Sequence, residues 1–110
     1  MERDPKSWDI TLETERGEFI ASPNINIRDF LAALDKWSTK EFLLRTHCLQ
    51  FIDEWGDTIF NRLQKPALID ELCSVVDNSG SAEAREFFEP LITFLSVNDG
   101  PHAYVKFYGD

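Results

Sequence analysis

The chain has 110 residues with 43% hydrophobic content, nine Phe and three Trp, which is enough for a single core and predicts one domain spanning residues 1–110. Its 20 acids against 11 bases give a formal charge of −9, which disfavours direct contact with a nucleic-acid backbone, because Lys and Arg are what displace phosphate counterions. The same excess favours a basic protein partner, and the aromatic content argues against the disorder that high charge can produce.

The first residues, "MERDPKSWD", are charged and lack the apolar core of a signal peptide. No apolar run approaches the roughly 18 residues a membrane helix needs. Both features predict a cytoplasmic protein with no membrane contact. "WDITLETERGEFIAS" alternates Trp8, Ile10 and Leu12 against Asp9, Thr11 and Glu13, then reverses near Arg16–Gly17. Period two with a glycine at the reversal predicts a β-hairpin over 8–21 with one buried face. "SPNIN" is loop. Asn26 stands where a helix N-cap belongs, Asp29 follows three residues on, and Ile27, Phe30, Leu31, Leu34 and Trp37 share a face, so a helix is expected over 27–37.

"STKE", Ser38 to Glu41, fits a capping box, and "KP" at Lys65–Pro66 forbids continuation. The spacing therefore predicts one long helix over 38–65. On it, Cys48, Ile52, Trp55, Gly56, Ile59, Phe60 and Leu63 form the core-facing stripe, with Gly56 allowing close approach of a neighbouring helix. His47, Gln50, Asp53, Glu54, Asp57 and Asn61 face water. Pro66 opens a third helix, "PALIDELCSVVD", with a stripe of Leu68, Ile69, Leu72, Val75 and Val76, closed by "NSG". The segment from Ala82 to Val97 has two readings, because Pro90 interrupts it and "ITFLSV" is β-branched enough for a strand; the helix is favoured, since its apolar residues share one side and Pro90 falls on the solvent side. After "NDGP", the segment "HAYVKFYG" alternates Ala103, Val105 and Phe107 against Tyr104, Lys106 and Tyr108, a strand that should pair with the hairpin. The expected fold is α+β: a small antiparallel sheet, made of the N-terminal hairpin plus the C-terminal strand, packed on about four helices.

Residues 46–105 carry ten acids and three bases, whereas the first 45 carry nine acids and seven bases. The acid is therefore concentrated on the middle helices. Such a face either keeps a small protein in solution or binds a basic partner. Cys48 and Cys73 stand apart from any CxxC or Cys/His spacing, which predicts reduced thiols, no disulfide and no metal. No glycine-rich phosphate loop, nucleophile elbow or desolvated carboxylate pair is present, so no cofactor and no catalytic activity are expected.

A small acidic chain displaying "DEWGD" and "LIDEL" outward resembles the bacterial immunity proteins that neutralise cationic toxin domains. The resemblance implies an inhibitor whose carboxylates occupy the positive groove of a nuclease-like toxin. Asp53, Glu54 and Asp57, joined by Asp70, Glu71 and Asp77 from an antiparallel neighbouring helix, are the expected partner-binding residues. Two other functions fit the same composition. One is a structural or regulatory adaptor associating through apolar residues such as Phe94, and the other is a mimic of nucleic acid.

Overall fold

The structure is a computed structural model that describes residues 10–53, 55–97 and 103–109. Four strands, β1 (Ile10–Glu13), β2 (Phe19–Ala21), β3 (Thr58–Phe60) and β4 (Tyr104–Phe107), form one antiparallel sheet in the order β2-β1-β4-β3. The helices are α1 (Ile27–Trp37), α2 (Lys40–Leu44), α3 (Lys65–Ser79) and α4 (Ala82–Val97), with a 3-10 turn at Leu49–Phe51. The fold is therefore α+β, with the N-terminal hairpin and the C-terminal strand in one sheet. The expected start of the hairpin at Trp8 and the stop signal "NDGP" lie outside the described residues.

Local signals account for most elements. Gly17, at φ 80°, takes the left-handed step of the β1–β2 turn, where its N–H donates to the Thr14 carbonyl at 2.9 Å. The Asn26 side chain accepts from the Asp29 N–H at 2.8 Å and its amide returns a bond to the Asp29 carboxylate at 3.0 Å, so α1 starts where expected. Pro66 sits in the first turn of α3, and Gly80, at φ 61°, ends it. α4 runs through Pro90, which is exposed.

Register sets the core. Ile10 faces Phe107 and Leu12 faces Val105 across β1 and β4, while Phe60 faces Val105 from β3, and all five side chains are buried. Aromatic rings carry this layer into the helices. Phe107 meets Phe60 edge-on at 5.8 Å and Phe30 of α1 at 5.2 Å, and Phe30 meets Phe88 of α4 at 6.1 Å. Leu68, Leu72 and Val75 of α3 are buried with them.

Two expectations are corrected. The first concerns β1, which was to have one buried face. All four of its residues are buried, because Thr11 and Glu13 on the outer face bond to each other at 2.5 Å and Glu13 also accepts from the Tyr108 hydroxyl. β1 lies between β2 and β4, and the outer side chains of a central strand are covered from both flanks.

The second is the helix over 38–65, which does not form. Thr39, not Ser38, caps α2, accepting from the Phe42 N–H at 3.0 Å, while the Ser38 N–H closes α1 on the Leu34 carbonyl. α2 ends after five residues, where the Thr46 hydroxyl donates to the Leu43 carbonyl at 2.6 Å and accepts from the Gln50 N–H at 3.0 Å. Further on, Asp53 Oδ1 accepts from the Trp55 N–H at 2.9 Å in an Asx turn, and β-branched Thr58 and Ile59 enter the sheet. Of the predicted stripe, Cys48, Ile52 and Phe60 are buried, but Trp55, Ile59 and Leu63 are exposed. A Cβ built on Gly56 would meet nothing within 4 Å, so no helix approaches it.

Pro90 removes one main-chain donor from the interior of α4 without packing in the core. Replacing Pro90 with Ala should raise the unfolding free energy, by up to about 3 kcal/mol, measured by urea denaturation. A lower midpoint at unchanged slope would show that the proline ring shapes α4 to fit the sheet.

Candidate docking surface

The segment between α2 and β3 is held chiefly by a side chain of α3. Glu71 of α3 reaches it with both oxygens: Oε2 accepts from the His47 N–H at 2.6 Å, and Oε1 accepts from the Cys48 and Leu49 N–H groups, each at 3.1 Å. A carboxylate on three successive amides satisfies donors that no helix takes up, and charge-assisted bonds of this kind are stronger than neutral ones. Below this clamp, Cys48, Leu49 and Ile52 are buried. On the far side, the Thr58 hydroxyl donates to the Phe51 carbonyl at 3.1 Å, tying the loop to β3.

With Cys48, Leu49 and Ile52 anchored inward, the loop turns two aromatic rings outward. Phe51 is 62% exposed and Trp55 71%. Both line a groove of about 830 Å³ against Arg28, Leu31 and Ala32 of α1, with Asp53 also in its lining. A second depression of about 310 Å³ shares Leu31, Gln50 and Ile52 with it and extends to Leu44, itself 63% exposed. The two adjoin along α1, and their lining mixes apolar side chains with Arg28, Asp35, Lys40, Gln50 and Asp53.

The expected recognition residues are distributed differently from two antiparallel helix faces. Asp53 is exposed beside the groove. Glu54 lies outside the described residues. Asp57 is exposed at the end of the sheet, where Oδ1 accepts from the Gly109 N–H at 3.1 Å and Oδ2 lies 3.8 Å from Lys106 Nζ. Asp70 is exposed near Arg62 and the end of α4, and Asp77 is exposed further along α3. Glu71, expected to face outward, is half-buried and occupied by the loop amides. Asp53 and Asp57 stand on a turn, so the helix pairing that was to join them to Asp70 and Asp77 is absent.

Sequence reasoning passed over Phe51, Leu44 and the exposure of Trp55, because it placed this segment on a helix. The available signal was the turn chemistry of Asp53, Gly56 and Asp57, followed by β-branched "TIF".

The thiols are also placed. Burial, with a smaller effect from the Glu71 carboxylate, pushes the Cys48 thiol up from its ordinary 9.0 to about 11. Burial and then the Asp77 and Asp70 carboxylates raise Cys73. Neutral thiols are poor nucleophiles. Among the described residues no group of three or more His, Cys, Asp or Glu side chains is arranged to hold a metal, and no helix is long and apolar enough to cross a membrane. No protein-family model matches the chain, and neither a curated protein nor a solved structure matches it.

Two measurements follow from this geometry. Glu71→Gln keeps one acceptor oxygen for three amides, and should cost about 1–3 kcal/mol of stability while speeding hydrogen exchange at residues 47–49. Unchanged exchange there would mean that the loop is held by its buried side chains alone. The pH dependence has the opposite sign to that of a salt-bridged acid. The folded-state value of Cys48 lies above the unfolded one, so its contribution is fully present below pH 9.0 and is lost as pH rises towards about 11. Stability followed from neutral to alkaline pH should fall across that window, and Cys48→Ala should flatten the fall.

Proposed function

We propose that this chain is a non-catalytic protein-binding module of the cytoplasm, an immunity-type inhibitor that docks on and blocks a cationic, nuclease-like toxin domain. The observation that carries this reading is the pair Phe51 and Trp55, held in water along one groove with Asp53 in its lining. Exposure of two large rings on a clamped loop adds nothing to folding, and such patches mark interaction sites. Aromatic anchors at the centre of an interface supply most of its affinity, while acids around them steer a basic partner and exclude wrong ones. The −9 charge of the chain supplies that field.

Within this reading the acids divide their work. Asp53 borders the contact, while Asp57 is engaged at the end of the sheet by the Gly109 amide and Lys106. Asp70 and Asp77, exposed on α3, add to the long-range field of the chain, and Glu71 holds the loop in shape. The rival adaptor reading has less support, because Phe94 packs against the core instead of projecting from α4. A nucleic-acid mimic would depend on carboxylates alone and would bind equally well without the rings.

The test takes the product of any adjoining reading frame that encodes a cationic toxin domain and titrates it into this protein at low and at physiological salt, with calorimetry for affinity and stopped-flow mixing for rates. Trp55→Ala should weaken binding by about 2 kcal/mol or more. Asp53→Lys should act mainly on the association rate, with a larger effect at low salt. A folded Phe51→Ala/Trp55→Ala protein that binds as well as the parent would remove the groove from the interface. Dimerisation of the free protein that disappears in that variant would favour the adaptor.

A further inference from the structure

The outer face of the sheet carries a second cavity, about 310 Å³, which shares no lining residue with the groove along α1. Its size is at the lower end of ligand sites, which run from about 300 to 1,000 Å³, and suits one side chain better than a cofactor. The side chain that distinguishes it is Glu13, only 7% exposed. Its Oε2 accepts from two hydroxyls, those of Thr11 at 2.5 Å and of Tyr108. Its Oε1 is turned towards Gly17, 4.0 Å from where a Cβ would stand, and Gly17 lines the same cavity.

We propose that this cavity receives one guanidinium side chain of the protein partner, with Glu13 Oε1 as its acceptor. Taking a carboxylate out of water is costly unless a cation and further hydrogen bonds compensate. The two hydroxyls orient Glu13 and supply hydrogen bonds but no charge. Lys106 also lines the cavity, with its ammonium 3.8 Å from Asp57 and 4.3 Å from the centre of the Tyr108 ring, and Glu15 adds a second carboxylate to the lining, so two acids and one base leave it net negative. Tyr104 and Ile59 line the remaining walls. A planar guanidinium stacks on a tyrosine face and its methylenes pack on an aliphatic neighbour, which favours Arg over the strongly hydrated ammonium of Lys. The inference rests on the proposed basic partner and adds a second point at which that partner is held.

The probe is methylguanidinium, titrated into the intact protein and followed by amide chemical shifts. Saturable shifts should concentrate at Thr14, Gly17 and Tyr104, and Glu13→Gln should weaken the response about tenfold, the loss expected for one charged hydrogen bond. Because Glu13 is buried, Ile59→Lys serves as a second variant. It sits at an exposed position and places a competing cation at the mouth, so it should weaken the response without unfolding the sheet. Methylammonium should bind more weakly than methylguanidinium. Shifts spread evenly over exposed acids, or a response that persists in both variants, would overturn the site. The experiment needs no partner, so failure here leaves the Phe51–Trp55 docking reading standing. A partner that fails to bind the groove, with methylguanidinium still captured, would leave the cavity and remove its assigned occupant.

Discussion

β4 donates and accepts main-chain hydrogen bonds on both of its edges, to β1 on one side and β3 on the other. Three segments far apart in the chain become one sheet only through it. Phe107 makes the same connection in side chains, since it touches Phe60 in the sheet and Phe30 in the helical layer. The backbone ladder and the aromatic contacts therefore coincide at one strand of four residues. Without β4, residues 58–60 would have no neighbour to pair with, and the apolar spacing of the middle segment would have no competitor to helix.

Glu71 does for the loop what β4 does for the sheet. Once α2 stops, the amides of residues 47–49 need acceptors, and a half-buried carboxylate on α3 provides them. This bond set decides which side of the loop faces the core, and so determines that Leu49 and Ile52 are covered while Phe51 and Trp55 are not. The proposed docking surface is in this sense a by-product of how the fold satisfies its own main chain.

The same observation changes how the acidity should be understood. A count of carboxylates treats each as surface charge, but several are internal fittings. The Asp29 carboxylate accepts from the Asn26 cap amide of α1, Asp53 closes a turn on the Trp55 amide, Asp57 holds the Gly109 amide and pairs with Lys106, and Glu13 accepts from two hydroxyls on the outer sheet face. The charge remains and still sets the long-range field. The number of acids free to meet a partner is smaller than composition implies, and their neighbours are aromatic.

Length and hydrophobic periodicity determined a good deal by themselves: the α+β class, the positions of α1, α3 and α4, and a last strand joined to an N-terminal hairpin. These elements start and stop through contacts between residues at most four positions apart, such as Asn26 with Asp29 or Ser38 with Leu34, so their signals survive without knowledge of the fold. Tertiary structure decided residues 38–65. Cys48, Ile52 and Phe60 are buried as their spacing suggested, yet a turn and a strand bury them as effectively as a helix would. The deciding partners are Glu71, which lies 22 to 24 residues from the amides it accepts, and β4, more than forty residues beyond β3. Local propensity carries no information about groups that distant, and an apolar stripe does not say which of its members will find a neighbour and which will be left in water.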